Sequence, residues 1–141
     1  MSPEELIAFA IKAMKNAYAP YSGCRVGAAL LCSDGTVYTG CNIENAAYSP
    51  TNCAERTAVF KAVSQGHRDF TAIAVCGGRD GKITGIFPPC GVCRQVLREF
   101  CKDDFLIYMA GPDGAYETLT LAQLLPYSFG ASAMDQRPIP G

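Results

Sequence analysis

Two short stretches dominate the interpretation of this chain: Thr51-Asn52-Cys53-Ala54-Glu55-Arg56-Thr57 and Pro89-Cys90-Gly91-Val92-Cys93-Arg94. Two residues separate Cys90 from Cys93, so both thiolates fall within one helical turn and can chelate a single ion. With a third thiolate from Cys53, one zinc ion would have three protein ligands and an open fourth position. An open position is typical of catalytic zinc, because structural zinc is usually closed by four protein ligands.

Glu55 and Arg56 follow Cys53 at the predicted start of a helix. From there the Glu55 carboxyl group can reach a zinc-bound water without binding the metal itself. A metal that activates water and a carboxyl group that moves protons are together suited to hydrolysis at a polarised carbon. Because three thiolates leave excess negative charge around Zn²⁺, we expect Arg56 to donate to a sulfur and balance it. The alternative is an ordinary surface arginine.

Composition favours one compact domain over residues 1–141, since 49% of the residues are apolar and 18% are charged. The net charge is −1 and no run of Lys or Arg occurs, which argues against a nucleic-acid partner. The sequence has neither a bilayer-length apolar run nor a signal-peptide pattern, so we expect no membrane association and a cytoplasmic location.

The eight cysteines are an even number, as in a disulfide framework. Since the chain is long enough to form a core and lacks a secretion signal, we expect reduced thiols at the five remaining positions, Cys24, Cys32, Cys41, Cys76 and Cys101. A structural zinc site would need a fourth ligand. The single histidine, His67, is expected to be an exposed loop residue at the wrong end of its helix.

The order of predicted elements is α-β-β-α-β-α-β-β-α, which indicates an α/β fold with a mixed five-stranded sheet covered by helices. A hairpin opens the sheet, and the β-α-β-α-β core that follows requires parallel neighbours. The third strand is expected to end at Gly77-Gly78, followed by a flexible connection over 78–88. A mostly irregular tail is expected from Pro126. The two motif helices should begin at the same sheet edge.

The chain resembles the small, homotetrameric, three-cysteine cytidine deaminases over nearly its whole length. The resemblance rests on both cysteine motifs and on Ala19-Pro20-Tyr21-Ser22, Val26-Gly27-Ala28-Ala29-Leu30 and Gly40-Cys41-Asn42-Ile43-Glu44-Asn45-Ala46. It implies their three-layer fold and one zinc ion per chain on Cys53, Cys90 and Cys93. It also implies hydrolytic deamination of cytidine and 2′-deoxycytidine to uridine and 2′-deoxyuridine, with release of ammonia, in pyrimidine salvage.

The same resemblance implies roles for individual residues. Glu55 would move protons between water and the base, and Asn42 and Glu44 would hold the ribose 3′-hydroxyl. Asn42 and Glu44 are two residues apart in an extended segment, so their side chains point to the same side. The remaining implied contacts to the nucleoside are Ala54 and, from neighbouring subunits, Ala46, Tyr48 and Phe129. Active sites would then be shared between the subunits of a homotetramer, and a monomer should be inactive.

Cys24 departs from the family, which usually has Phe at that position beside the pyrimidine. The absence of this phenylalanine is expected to widen the pocket or to shift stacking onto Phe129. The preference among cytidine, deoxycytidine and analogues is therefore left open. One alternative is a deaminase of the same fold that acts on a nucleic-acid base, a nucleotide or an aminoacyl-nucleoside antibiotic. The other is a non-catalytic zinc-binding module, in which Glu55 would have no clear purpose.

Overall fold

The computed structural model describes residues 1–135 and contains five strands and five α-helices in those residues. In chain order they are α1 Pro3–Met14, β1 Cys24–Cys32, β2 Val37–Cys41, α2 Ala54–Ser64, β3 Phe70–Arg79, α3 Gly91–Phe100, β4 Leu106–Ala110, β5 Tyr116–Thr120, α4 Leu121–Leu124 and α5 Ala131–Asp135. The tail predicted to be irregular thus contains the short α5, while residues 136–141 lie outside the described part. Within residues 1–135, no helix is both long and apolar enough to cross a bilayer.

The five strands form one mixed sheet in the order β2-β1-β3-β4-β5. β3 and β4 are parallel, and the other three pairs are antiparallel. The prediction that β2 and β3 are parallel neighbours is therefore wrong, because β1 lies between them. The reason is burial: β1 is a nine-residue, nearly continuous buried strand that pairs on both sides, whereas the five-residue β2 is half-buried and forms an edge.

Helices cover both faces of the sheet and produce three layers. On one face, α1 buries Leu6, Ala10 and Met14 against small side chains of the central strands. On the other face, α2, α3 and α4 pack over the larger apolar cluster that includes Leu30, Ile73, Leu97 and Ile107. This second face places the N-termini of α2 and α3 beside each other.

β3 continues through Gly77-Gly78 to Arg79, so the prediction that it ends at the glycines is wrong. Gly77 and Gly78 pair with Val26 and Arg25 of β1. A Cβ atom on Gly78 would overlap the backbone of Lys82, because the chain folds back over the strand there. The two glycines allow this close approach without ending the strand.

Gly40 of β2 lets the sheet approach α2 closely. A Cβ atom there would lie 2.6 Å from the amide nitrogen of Ala58 and closer still to the carbonyl oxygen of Ala54. We expect Gly40→Ala to lower the free energy of unfolding by about 1–3 kcal/mol, because the overlap is with backbone. Denaturant unfolding should show this loss, whereas Gly85→Ala, whose Cβ meets nothing within 4 Å, should stay near wild type. Equal stability of the two variants would contradict the prediction.

Candidate metal centre and active site

Three cysteines meet where α2 and α3 begin. The sulfurs of Cys53, Cys90 and Cys93 all lie within 4.8 Å of one another, and those of Cys53 and Cys90 are 3.7 Å apart. Two thiolates on a tetrahedral zinc, with Zn–S bonds of about 2.3 Å, are separated by about 3.8 Å. The group contains no fourth side chain among the residues described, and Glu55 is outside it. The cluster could therefore bind one zinc ion and leave a position open.

The backbone holds two of these sulfurs at helix N-termini. Cys53 is the N-cap of α2 and Cys90 the N-cap of α3, both in extended conformation, and neither sulfur caps its helix by a hydrogen bond. Both sulfurs are therefore available to a metal, and the positive ends of the two helices favour negative charge at this point. Cys93 lies one turn into α3 and is buried.

Arg56 contacts the cluster as the sequence analysis expected. Its Nη2 donates to the Cys53 sulfur over 3.2 Å. Hydrogen bonds from the Cys93 thiol and from Arg56 lower the pKa of Cys53 to about 5. The pKa of the Cys93 thiol is raised, chiefly by its bond to Cys53 and by burial. A lowered pKa at Cys53 suits a metal, because thiolates are the form that binds zinc.

We expect Arg56→Ala to weaken zinc binding by about 10–100-fold, since outer partners of metal ligands typically contribute that much. Competition with a chromophoric chelator measures this affinity directly. Arg68→Ala is the matched control, because Arg68 is exposed and donates to the Val63 carbonyl. Unchanged zinc affinity in Arg56→Ala would show that the hydrogen bond does not contribute to metal binding.

Glu55 lies next to the cluster in a very different environment. Its side chain is 3% exposed in the first turn of α2. Burial, with a smaller contribution from the Cys53 thiolate, raises the pKa of its carboxyl group to about 7. A carboxyl group with this pKa can accept and release a proton near neutral pH, as general acid–base catalysis requires.

A cavity of about 490 Å³ opens onto the cluster and Glu55. This size is within the range of small-molecule sites. The lining joins the ends of both motif helices to the segment after β2 and to the prolines before α3: Val26, Asn42, Glu44, Thr51, Asn52, Cys53, Glu55, Phe87, Pro88, Pro89, Cys90, Gly91 and Arg94. Cys24 of β1 is absent from this set, although it is half-buried nearby.

Asn42 and Glu44 both line this cavity, but their side chains form hydrogen bonds with different partners. The Asn42 amide is buried and bridges β1, accepting from the Val26 amide over 2.8 Å and donating to the Cys24 carbonyl over 2.8 Å. The Glu44 carboxylate accepts from the backbone amides of Tyr21 and Ser22 and from the Ser22 hydroxyl, and these bonds lower its pKa. Their positions are therefore fixed by the fold.

Four other candidates from the sequence lie in different environments. Ala54 is fully buried at the start of α2, whereas Ala46 and Tyr48 are exposed on the segment after β2. Tyr48 is 72% exposed and meets Tyr21 edge to face, with ring centroids 6.1 Å apart. Phe129 is 59% exposed, and its carbonyl accepts from Nε2 of Gln95. Within one chain, none of these four residues lines the cavity described above.

Phe87 and Arg94 are among the cavity residues for which no role was predicted from the sequence. The position of Arg94 one helical turn after Cys90 could have indicated that it is near the site. In the structure its Nε donates to the Pro89 carbonyl and its Nη1 to the Leu124 carbonyl, both over 2.8 Å. Phe87 lies in the segment that was predicted to be a flexible connection.

His67, expected to be exposed, is instead half-buried at the other end of α2 and contacts Tyr38 and Asp34.

Comparison with known proteins gives a consistent result. Residues 1–109 match the family model described as the cytidine and deoxycytidylate deaminase zinc-binding region. The chain is 54% identical to a cytidine deaminase of Sporosarcina psychrophila over 92% of each protein, and 49% identical to one of Halalkalibacterium halodurans over 96% of this chain and 99% of that protein.

Solved structures agree with the sequence relatives. The crystal structure of the cytidine deaminase from Burkholderia pseudomallei superposes with a TM-score of 0.85 at 44% identity, covering 92% of this chain and all of that chain. The cytidine deaminase from Mycobacterium tuberculosis superposes with a TM-score of 0.79 at 40% identity, covering 92% and 98%. The predicted α/β fold with a mixed five-stranded sheet is thereby confirmed. This chain belongs to the cytidine and deoxycytidylate deaminase family of zinc-binding enzymes.

Proposed function

We propose that this chain, as one domain over residues 1–141, hydrolyses cytidine and 2′-deoxycytidine to uridine and 2′-deoxyuridine and releases ammonia. The observation that carries the proposal is the meeting of two features in one cavity: a three-sulfur group with an open position and a buried glutamate outside it. A binding module would have no use for the second feature. We propose a cytoplasmic role in pyrimidine salvage.

In the proposed reaction Glu55 moves the protons. Zinc, when bound by Cys53, Cys90 and Cys93, supplies a Lewis acid that activates water. Glu55 accepts the first proton that water gives up and delivers it to N3 of the cytosine ring. It then takes the second proton from the hydroxyl group newly bonded to C4 and passes it to the exocyclic nitrogen. A C4–O bond forms, the C4–N bond breaks, and ammonia leaves. A carboxyl pKa of about 7 supports both transfers, because neither protonation state is strongly disfavoured.

Two polar residues in the cavity lining, Asn42 and Glu44, support a nucleoside rather than a nucleotide. We propose that Asn42 and Glu44 hold the ribose 3′-hydroxyl, with the Glu44 carboxylate as acceptor. The negative charge of the Glu44 carboxylate would repel a phosphate group bound in the same cavity. Arg94 is the one cationic side chain lining the cavity among the described residues, and two of its nitrogens already donate to carbonyls.

We propose a homotetramer whose active sites are shared between subunits, with Ala46, Tyr48 and Phe129 reaching a neighbour's nucleoside. Support comes from exposed aromatic side chains on the segments concerned, Tyr48 and Phe129, which a partner would remove from water. Sedimentation velocity tests the assembly. A monomer that retains full turnover at assay concentration would overturn this part of the proposal.

The experiment that tests the reaction follows the ultraviolet spectrum of cytidine over time, with zinc content measured on the same sample. Conversion to uridine by protein that holds about one zinc per chain is the expected result. Cytidine 5′-monophosphate, assayed in parallel, should be converted far more slowly. Bound zinc without conversion of cytidine or 2′-deoxycytidine would overturn the nucleoside assignment and leave the family membership intact.

A further inference from the structure

One wall of the cavity is aromatic. Phe87 is the sole aromatic residue lining it in the described part of the chain, and its half-buried ring also packs against the larger apolar cluster of the sheet. We infer that Phe87 determines specificity by presenting its ring to the flat pyrimidine of the substrate. The inference rests on the proposed nucleoside deamination and names the residue that recognises the base.

Gly77 of β3 makes room for this ring. Three consecutive ring carbons of Phe87 would lie 3.0 Å from a Cβ atom on Gly77, so a side chain there would displace the ring by a few tenths of an ångström. Gly77 is paired with Val26 of β1, which also lines the cavity. The sheet thus supports the ring from behind, and the ring in turn borders the space in front of the metal centre.

The chain on the other side fixes where the ring can be. Phe87 precedes Pro88-Pro89, and a residue before proline is restricted to extended conformations. Pro89 is buried, and its carbonyl accepts from the Arg94 guanidinium over 2.8 Å. The ring therefore stands on a short, tethered segment that leads directly into the zinc ligand Cys90. Holding the ring in place beforehand reduces the entropy lost when a base binds.

An aromatic wall recognises a property that a merely apolar wall does not. Flat π systems stack on aromatic rings in offset or edge-to-face geometry and gain more than their buried area provides. A saturated pyrimidine ring has lost this flat face while it keeps similar size and hydrogen-bonding groups. The wild-type cavity should therefore prefer an aromatic pyrimidine nucleoside over its 5,6-dihydro counterpart.

The test is equilibrium binding of uridine and 5,6-dihydrouridine to the zinc-loaded protein, measured by titration calorimetry. We expect the wild type to bind uridine about tenfold more tightly than dihydrouridine, and Phe87→Leu to remove most of that preference. Phe87→Tyr keeps the ring and should retain it. Phe100→Leu is the matched control, because Phe100 is half-buried beside Phe70 at the opposite end of α3.

A double-mutant cycle checks that Gly77 acts through the ring. Gly77→Ala should weaken uridine binding by displacing Phe87, yet add little to Phe87→Leu, because the smaller side chain no longer fills that space. An unchanged uridine preference in Phe87→Leu, or no preference in the wild type, would overturn the inference. Failure of the proposed function is a separate result, since it appears as wild-type protein that does not convert cytidine.

Discussion

Glu55→Gln should reduce kcat for cytidine by about 10²–10⁴-fold while zinc stays at one per chain. Glutamine has the size of glutamate and can form hydrogen bonds, but it cannot accept and return a proton at neutral pH. Because Glu55 is outside the three-sulfur group, its substitution leaves the metal ligands intact. Turnover by the ultraviolet assay and zinc by elemental analysis, on one preparation, give both quantities.

The thermal stability of Glu55→Gln should be at least that of the wild type. The side chain is 3% exposed, and a neutral amide avoids the cost of burying a charge. Glu99→Gln is the matched control on α3, where the glutamate is exposed, and it should keep wild-type kcat. Loss of zinc in Glu55→Gln, or turnover within tenfold of the wild type, would contradict the role proposed for this carboxyl group.

Cys93→Ala should release most of the zinc and remove turnover altogether. With two thiolates left, the site falls below the three protein ligands that catalytic zinc usually has. Cys93 is also 1% exposed, so a loss of activity could in principle follow from damage to the core. Zinc content, turnover and thermal unfolding must therefore be measured on the same preparation.

Cys76→Ala separates the two explanations. Cys76 of β3 is fully buried, but on the α1 face, where its sulfur lies 3.9 Å from that of Met14. We expect this variant to lose about 1 kcal/mol of stability and to keep both zinc and turnover. If Cys76→Ala lost zinc as readily as Cys93→Ala, the effect would come from the core, and the assignment of Cys93 as a ligand would be wrong.

Local patterns predicted most of the elements because their signals are short-range. Ser2 and Pro3 start α1, and Thr120 caps α4 with a reciprocal bond to Gln123 only three residues away. The three cysteines were predictable for the same reason. Their helices begin at the motifs themselves, so the sulfurs meet once the two helix N-termini are adjacent.

Long-range contacts accounted for the errors. The pairing of β1 with β3 depends on which strand has a hydrogen-bonded neighbour on each side, and the spacing of apolar residues along the sequence does not specify this. Gly77-Gly78 looked like a strand end because glycine usually weakens strands, but here it accommodates a segment that crosses over the strand. Phe87 was missed for the same reason: its partner is in β3, ten residues earlier, and no local pattern joins them.

Cys24 illustrates how a resemblance can identify a difference without explaining it. Without phenylalanine at this position, a wider pocket or a shift of stacking onto Phe129 was expected. Cys24 does not line the cavity, and the aromatic side chain that does is Phe87, on another segment. The uridine and dihydrouridine titration tests whether Phe87 supplies the aromatic contact to the base.

The spacing of the metal ligands also has a consequence for the life of the protein in a cell. Cys53 and Cys90 are 37 residues apart and become neighbours through the packing of α2 and α3 on one face of a completed sheet. In an unfolded chain these sulfurs are not held together, so the complete cluster forms only when the two helices pack on the sheet. We therefore expect zinc to be acquired late in folding.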